Sequence, residues 1–425
     1  MIRDTHIPLF DLVMSLCNAI DLISPRVVGH QKRVAHIAYS VAREMNFAPR
    51  ERNLLLLAGA LHDSGALSLR ERLEALDFEV KDPHRHAKVG YLLFRDFSPL
   101  AESAHFIRFH HVRWENGKGE MFEGQAVPEG SQILHLADRV EVLIKKDIPI
   151  LEQAKTICET IRPQSGRMFH PQHVEAFLSC AQRESFWLDL VSEDIDAILR
   201  SEARLSVLEL DMNALLELGH LFAHLIDFRS RFTVAHSCGV ASTAEILAQR
   251  MGFSRRGYQT LRVAGYLHDL GKLAVPKEVL EKPGPLSPQE WNLMRTHTYH
   301  TYRTLATVKD LEDVNAYAAC HHERLDGNGY PFHYTGDALP LGARIMAVAD
   351  VFTALMEDRP YRPGMERDET LKMMRIMTKN GELDGQIMEL LEENVEEIDQ
   401  RRIEVQRNAW QFYHQKEASE KALGN

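Results

Sequence analysis

The sequence predicts an all-helical protein of two domains that repeat one pattern, and three observations support this prediction. At 425 residues the chain is too long for one ordinary core, so two domains are expected. Segments such as 214–226 and 240–251 space their apolar residues at helical intervals, and strand-like runs rich in β-branched residues are absent. Histidine and aspartate positions also recur in order in the two halves. The predicted domains are 1–205 and 206–425, the second ending in a helical extension.

The repeat is carried by metal-ligand residue types. His30 precedes His62-Asp63 by 32 residues, and His236 precedes His268-Asp269 by the same 32. The later pairs, in order, are His86 with His297, His110-His111 with His321-His322, and Asp138 with Asp350. The offsets between the halves run 206, 206, 211, 211 and 212, which is too orderly for chance. We interpret the chain as a duplicated domain.

Turn and cap residues place helices in the second half. Proline and glycine are concentrated in 276–288 and 326–342, which predicts loops there. Ser287 as N-cap, Pro288 in the first turn and Glu290 three residues after the cap predict a helix start.

Two further helices are expected at the domain ends. Within 190–212, charged residues alternate with isoleucine and leucine and no Pro/Gly linker occurs, which predicts a helix bridging the two halves. Residues 386–419 are charged and amphipathic, and they predict a terminal helix used in packing or in a homodimer. The alternative is a solvated tail helix without function.

Composition excludes several classes of protein. No apolar run approaches the roughly 20 residues that cross a bilayer, and the N-terminus has no basic leader, so neither a membrane protein nor a secreted one is expected. Five irregularly spaced cysteines suit free thiols in a reducing cytoplasm. A net charge of −11 argues against binding to long nucleic acid, but it allows a small anionic ligand held by local cations. We expect a cytoplasmic protein.

The histidines and aspartates of the second half predict a metal site. A lone histidine on a helix is more often a core residue, but the joint pattern reverses that reading. In His268-Asp269 the aspartate can bridge two ions, and His321-His322 can supply ligands near the second ion. Two ions roughly 3.5–4 Å apart clamp a phosphodiester and generate hydroxide between them. Lys272, one helical turn after His268, would neutralise charge that develops on phosphorus.

At this point the residues resemble a known family. HDLGK at 268–272, His297, HHERLDGNGYP at 321–331 and ADVFTALMEDRPYR at 349–362 resemble the motifs of HD-GYP phosphodiesterases, a branch of the HD superfamily of metal-dependent phosphohydrolases, over roughly 229–365. The resemblance implies an all-helical fold and hydrolysis of bacterial 3′,5′-cyclic dinucleotides, cyclic di-GMP or 3′,3′-cyclic GMP–AMP, to the linear dinucleotide. It also implies a metal-bridging hydroxide and two divalent ions, with iron or manganese preferred and nickel or zinc as alternatives.

The resemblance assigns roles residue by residue. The implied metal ligands are His236, His268, Asp269, His297, His321, His322 and Asp350, with Asp269 bridging. Asp269 and Lys272 are the implied catalytic residues. The implied substrate contacts are Lys272, Arg359, Arg362, Asp326, Gly329 and Tyr330, the arginines because their planar fork suits phosphate oxygens. The loop at 326–331 is also an implied surface for a signalling protein.

Two positions of the second half depart from the family pattern. Phe232 stands where some members carry a glutamate that holds a third ion, so a dinuclear site is predicted. Thr353 replaces the second aspartate of the family's DVFDAL stretch, which is expected to change the support of the ligands more than the ligands themselves.

The first half resembles an HD domain that has drifted. Ala66 stands at the position of the lysine, HHVRWENGKGEMF at 110–122 replaces the GYP loop, and nothing like RPYR follows Asp138. Two interpretations remain open: a domain that still binds metal without hydrolysing the diester, or a structural partner whose histidines are vestigial. A tandem of degenerate and intact modules is similar to enzymes that prefer the mixed guanine–adenine cyclic dinucleotide.

Two other functions compete with hydrolysis of cyclic dinucleotides. A receptor or scaffold would bind the dinucleotide, or a protein through the GYP surface, without catalysis; the intact ligand set and Lys272 disfavour it. An HD-type nucleotidase is weaker still, because such enzymes do not need the GYP loop or the RPYR segment.

Overall fold

The computed structural model describes residues 8–21, 27–66, 73–79, 83–203, 210–227, 235–358 and 363–421. Helices in the first half are Leu9–Asp21, His30–Glu44, Pro49–Leu61, Pro83–Phe94, Ala101–Arg108, Glu129–Glu141, Ile150–Ile161, Pro171–Cys180, Glu184–Leu190 and Ile195–Glu202. Those in the second half are Met212–Asp227, His236–Arg250, Arg255–Leu267, Lys277–Leu280, Pro288–Leu305, Glu312–Ala319, Leu341–Met356, Arg367–Lys379, Gly385–Glu393 and Val395–Lys421. The prediction of an all-helical fold is confirmed.

The described residues form two compact units, within Pro8–Leu208 and within Glu209–Asn425. The predicted division between residues 205 and 206 falls outside the described residues and stays a prediction. The helix predicted to bridge the halves within 190–212 is not continuous: the helix Ile195–Glu202 ends at Ala203, whose backbone is extended, and residues 204–209 lie outside the described residues. The absence of proline and glycine permits a helix, but it does not mark where the helix ends.

Local sequence signals explain where several helices begin. The Ser287 hydroxyl accepts a hydrogen bond from the Glu290 amide at 3.2 Å, and the Glu290 carboxylate accepts one from the Ser287 amide at 2.7 Å. This capping box, with Pro288 in the first turn, confirms the helix start predicted from the sequence. The same proline-rich region also contains the short helix Lys277–Leu280 within the stretch predicted as a loop.

The two units repeat one tight helix contact. A Cβ on Gly59 would lie 2.6 Å from the Ala35 Cα, and a Cβ on Gly265 would lie 2.4 Å from the Ala241 Cα. These are equivalent positions, 206 residues apart in the repeat. Only glycine permits so close an approach of two helix backbones, and the approach brings His30 near His62-Asp63 in one unit and His236 near His268-Asp269 in the other.

A second repeated contact places the third histidine. A Cβ on Gly65 would lie 2.1 Å from the His86 carbonyl oxygen, and a Cβ on Gly271 would lie 1.9 Å from the His297 carbonyl oxygen. The glycine of each HD-x-G motif therefore lets the helix that carries this histidine pack directly against the turn after the His-Asp pair. In the second unit the Thr301 hydroxyl locks the contact, because it accepts from the Gly271 amide at 2.9 Å.

The strand pair of the described residues lies in the segment that replaces the GYP loop. Met121–Phe122 pairs with Gln125–Ala126 in a two-stranded antiparallel hairpin. Its turn contains Glu123 and Gly124, both with positive φ, which fits the twist of a tight hairpin.

The predicted terminal helix is broken in two. It divides at Asn394 into Gly385–Glu393 and Val395–Lys421, and Arg402, Gln406 and Ala409 of the second piece are buried. The helix Val395–Lys421 packs against helix His236–Arg250 of its own unit, so the interpretation as a solvated tail is wrong. Within the described part of the chain, no helix combines the length and apolarity needed to cross a bilayer.

Candidate metal centre

The second unit brings all seven predicted ligands together, some at helix ends and some within helices. His236, His268 and Asp350 form one group of converging ligand atoms, and His297, His321 and His322 form another. Asp269 lies between the two groups. Its Oδ2 is 3.3 Å from the His268 Nε2, and its Oδ1 is 3.6 Å from the His297 Nε2. One carboxylate thus presents one oxygen to each group, as a bridging ligand must.

The imidazole tautomers are set by backbone carbonyls. The Nδ1 atoms of His268, His297 and His321 lie 2.8, 2.7 and 2.6 Å from the carbonyl oxygens three residues earlier. A carbonyl can only accept, so each Nδ1 carries the proton and each Nε2 presents a lone pair to the centre.

The inner atoms of the centre fit cations. The Nε2 atoms of His297 and His321 face each other at 3.4 Å, within the ~2.9–3.4 Å expected for two nitrogens bound to one ion at about 2.0–2.1 Å. The His268 Nε2 and the Asp269 Oδ1 are buried and have no hydrogen-bond partner among the described residues. Converging lone pairs without a donor need a positive charge between them, so the residues fit a pair of divalent ions.

Electrostatics keep the ligands in their binding form. Burial alone would raise the pKa of the Asp269 carboxyl, but His268 and Lys272 outweigh it and hold that pKa well below its usual range. Burial lowers the pKa of His297 to about 3 and that of His321 well below its usual value. The carboxylate is therefore ionised and these imidazoles neutral near pH 7, which are the forms that bind a metal.

Lys272 and Tyr330 line the open side of the centre. The Lys272 ammonium is 2.5 Å from the Asp269 Oδ2, but its residue lies in the 3₁₀ turn Leu270–Ala274, not on a continuation of the helix as predicted. The Tyr330 ring lies 5.0 Å from the His322 ring, whose side chain is 29% exposed. Burial, with the charges of Asp350 and Asp269, raises the pKa of the Tyr330 phenol, so it stays a hydrogen-bond donor.

The other predicted loop residues shape the GYP loop. A Cβ on Gly329 would lie 2.4 Å from the Glu323 Cα, so only glycine allows the loop to fold back on the HHE segment. Asp326 is exposed; its Oδ1 accepts from the Asn328 amide at 2.9 Å and its Oδ2 pairs with Arg324 at 3.1 Å. Asp326 thus holds the turn. The substrate contact predicted for Asp326 stays a prediction.

Three predicted positions cannot be placed. Arg359 and Arg362, the implied phosphate contacts, lie outside the described residues, and so does Phe232, on which the dinuclear prediction partly rests.

Sequence reasoning missed the residues that support the loop. The buried Glu323 carboxylate accepts hydrogen bonds from the Phe332 amide at 2.6 Å and the Tyr334 amide at 3.2 Å. The Arg295 guanidinium lies 5.1 Å from the centre of the Tyr330 ring. Glu323 follows the two histidines directly and stands in the quoted motif, but nothing in the spacing indicated an inward-facing carboxylate.

A second missed group supports the first histidine from outside. The His236 Nδ1 donates to Glu357 Oε2 at 2.9 Å, and Glu357 in turn accepts from Gln406 of the terminal helix. Arg402 donates to the Gln406 oxygen at 2.6 Å. Thr353 lies inside this region, but its buried hydroxyl has no partner among the described residues. Glu357, one turn later, therefore does what the missing carboxylate at position 353 could have done.

Comparison with known proteins agrees with this geometry. HD-domain family models match residues 27–143 and residues 220–387. The chain is 30% identical to 3′3′-cGAMP-specific phosphodiesterase 1 of Vibrio cholerae, over 93% of this chain and 94% of that protein. It is 40% identical to a cyclic di-GMP phosphodiesterase response regulator of Xanthomonas campestris, over 35% of this chain and 40% of that protein.

One solved structure shares the fold over nearly the whole length. A cyclic GMP-AMP specific phosphodiesterase of Vibrio cholerae superimposes with a TM-score of 0.65, covering 92% of this chain and 98% of that one at 24% identity. The predicted resemblance is thus confirmed, and the chain belongs to the HD-GYP cyclic dinucleotide phosphodiesterase family, with two HD domains in tandem.

Proposed function

We propose that this protein hydrolyses 3′,3′-cyclic dinucleotides to the linear dinucleotide at the centre of its second domain. The observation that carries the proposal is the Asp269 carboxylate, whose two oxygens face two separate ligand groups. Two adjacent divalent ions, when bound, activate water and stabilise charge on a phosphoryl group. The preferred ions are iron or manganese, since the mixture of imidazole and carboxylate ligands suits them, with nickel or zinc as alternatives.

The protein's own side chains bind and orient the diester. Lys272, 2.5 Å from the bridging carboxylate, supplies a fixed positive charge beside the position of the scissile phosphate. Tyr330 donates a hydrogen bond to the diester from its protonated phenol. Arg359 and Arg362 are proposed to hold the phosphates, in keeping with arginine's bidentate geometry.

An aromatic pair at the mouth suits a nucleobase. The Trp291 ring lies 6.3 Å from the Tyr330 ring, and the Trp291 side chain is exposed although it is large and apolar. A purine can stack on such a surface, and every base offers a π-face. The pair supports the proposal that a base of the cyclic dinucleotide binds beside the ligand cluster.

Among cyclic dinucleotides we propose the mixed guanine–adenine species as the preferred substrate. Support comes from the relative that aligns over 93% of the chain, and hence over both domains, which is specific for 3′3′-cGAMP. The relatives named for cyclic di-GMP match over shorter stretches, such as 35% of the chain.

The test is direct product analysis. The purified full chain, loaded with iron under anaerobic conditions or with manganese, is incubated with each of the two symmetric cyclic dinucleotides and with the mixed one. Chromatography should reveal linear dinucleotide, formed fastest from the mixed species. Binding without any linear product in every metal form would refute the enzyme and favour a receptor. Equal rates would refute only the substrate preference.

A further inference from the structure

The first unit contains a second complete set of ligand side chains. Its members are His30, His62, Asp63, His86, His110, His111 and Asp138, all of them buried. The Asp63 Oδ2 is 3.5 Å from the His30 Nε2 and 3.4 Å from the His62 Nε2, while its Oδ1 is 3.3 Å from the His86 Nε2. Asp63 therefore stands between two histidine groups, as Asp269 does in the second unit.

Backbone carbonyls fix the tautomers of two histidines of this set, as they do in the second unit. The Nδ1 atoms of His62 and His110 lie 2.8 and 2.7 Å from the carbonyl oxygens of residues 59 and 107, which leaves each Nε2 as a lone pair directed inward. The Nε2 atoms of His86 and His111 are 2.8 Å apart, and those of His30 and His62 are 3.3 Å apart. The second separation lies within the ~2.9–3.4 Å between two nitrogens bound to one ion, and the first is slightly shorter, at the distance of a hydrogen bond.

Three inward atoms have no other partner. The Asp63 Oδ1, the Asp138 Oδ1 and the His110 Nε2 are buried and lack a hydrogen bond among the described residues. Vestigial residues of a former site would drift to apolar types or find other partners, because an unsatisfied buried carboxylate oxygen is destabilising. A set of ligands held in register with open lone pairs is the expected structure of a working cation site.

The surroundings close this site where the second unit leaves an opening. Arg139 is almost fully buried; its Nη2 donates to the Asp138 Oδ2 at 2.6 Å and to the Ala75 carbonyl at 2.9 Å. The equivalent of Arg139 in the second unit is Val351, which makes no such bond to the ligand carboxylate. Arg139 thus binds the outer oxygen of the Asp138 carboxylate and holds the 73–79 segment beside it.

A second salt bridge fixes the first histidine. Glu141 pairs with the His30 Nδ1 and with Arg33, whose guanidinium lies 2.6 Å away. His111 is buried, whereas its counterpart His322 has an exposed edge. Ala66 offers no charge at the position of Lys272. Among the described residues, the first site therefore has buried ligands and supports, but neither an exposed ligand edge nor a lysine equivalent to Lys272.

We infer that the first domain binds a pair of divalent metal ions in a closed, structural site, one at His30, His62, Asp63 and Asp138, the other at Asp63, His86, His110 and His111. Closed coordination is the mark of structural sites, while catalytic sites keep a position open. The ions hold the helices of this domain together and take no part in hydrolysis. This inference does not depend on the activity proposed for the second domain.

The test counts ions in the full chain. Elemental analysis after anaerobic loading and desalting should give about four ions for the wild type, and about two for either the double variant His62→Ala, Asp63→Asn or the double variant His268→Ala, Asp269→Asn. Removing the exposed His105, as a matched control, should leave all of them. About two ions in the wild type, with none lost in the first double variant, would overturn the inference.

Two further measurements keep the test decisive. If the first double variant does not fold, anomalous scattering from wild-type crystals decides, since peaks beside Asp63 are required and their absence refutes the site. Closure is tested by measuring how fast a chelator removes the ions. The His268→Ala, Asp269→Asn variant keeps only the ions of the first domain, and these should leave about tenfold more slowly than the ions that the wild type loses in its faster phase. Release of all wild-type ions in one fast phase would show that the first site is not closed.

Discussion

The two halves of this chain hold nearly the same ligand set in two different settings. In the second domain Asp269 contacts the Lys272 ammonium and the cluster opens beside Tyr330; in the first domain Asp63 contacts His30, His62 and His86 among the described residues, and Arg139 covers Asp138. The ligand positions have survived duplication, but Ala66 stands where the second domain has Lys272, the lysine that we propose holds the substrate. The comparison suggests that metal binding and catalysis depend on different residues. Metal binding needs the inward-facing ligand atoms, whereas catalysis also needs the open side lined by Lys272 and Tyr330.

The comparison extends to how each first histidine is held. Glu141 supports His30, and Arg33 anchors it within the same domain core. At the equivalent position the second domain has Thr353, and Glu357 supports His236 instead, anchored by Gln406 of the terminal helix. One support is built into the repeat, while the other depends on a segment beyond it.

The largest expected effect separates the two bridging carboxylates. Asp269→Asn removes the charge shared by the two ligand groups, so the second site should lose its ions and the rate of hydrolysis should fall by about 10³-fold or more. Asp63→Asn should leave kcat within a few-fold of wild type while it lowers metal content and thermal stability. Initial rates and elemental analysis of both variants measure this. Equal losses of activity would break the proposed division of labour.

Next in size is the fixed positive charge at the mouth. Lys272→Met should retain the ions and lower kcat by about 10²–10³-fold, the scale for losing one preorganised electrostatic group. Ala66→Lys in the first domain is the matched change, and it should create no activity when the second domain carries Asp269→Asn, because the ligands of the first site are all buried. A Lys272→Met enzyme with unchanged kcat would refute the role assigned to this lysine.

The support of His236 should matter to a smaller degree. Glu357→Gln weakens the hydrogen bond that orients the imidazole, and it should lower the metal affinity of the second site by about 10–100-fold. Gln406→Ala should act in the same direction but less. Gln411→Ala, exposed on the same helix, is the control and should change nothing. Metal titration monitored by activity and by bound ions would contradict the coupling if Gln406→Ala behaved like Gln411→Ala.

These supports mark the limit of what the sequence could predict. The ligands were predictable because a duplicated pattern fixes their order. The pairs His268-Asp269 and His321-His322 are also recognisable because their members are adjacent in the sequence. Gln406 was not, since it lies 49 residues from Glu357 and meets it only through the packing of the terminal helix. Arg139 follows Asp138 directly in the sequence, but no spacing rule tells whether the side chain of a neighbouring arginine faces solvent or a ligand. The end of the helix at Glu202 was likewise not predicted, since no local sequence signal marks it.

The aromatic surface of the second domain should affect binding more than chemistry. Trp291→Ala removes one face on which a base can stack, worth about 1–3 kcal/mol, so KM should rise by about tenfold while kcat stays near wild type. Trp410→Ala removes a partly exposed tryptophan from the terminal helix and should leave KM unchanged. Steady-state kinetics with each cyclic dinucleotide provides the measurement, and a fall in kcat with KM unaltered would argue against a stacking role.

The smallest effect concerns a histidine that only the first domain buries behind its ligands. His135 contacts the His111 and Phe169 rings, and Ala347 stands at its equivalent position in the second domain. Burial and then the charges of Arg139 and Arg113 lower the pKa of His135 to about 3. Below pH 6.5 the unfolded chain therefore takes up a proton that the folded domain refuses. The free energy of unfolding should fall as the pH drops from 7 toward 3.

The matched variant is His135→Leu, which has no proton to gain. Between pH 7 and pH 5.5 the first domain of the metal-free chain should lose about 1 kcal/mol less stability in this variant than in the wild type, since an unfolded-state pKa near 6.5 governs that interval. Denaturant unfolding of both chains in the presence of chelator, at the two pH values, gives the difference. Identical losses would mean that His135 is protonated in the folded domain, and hence that the region behind the first site admits a charge that burial and the charges of Arg139 and Arg113 ought to exclude.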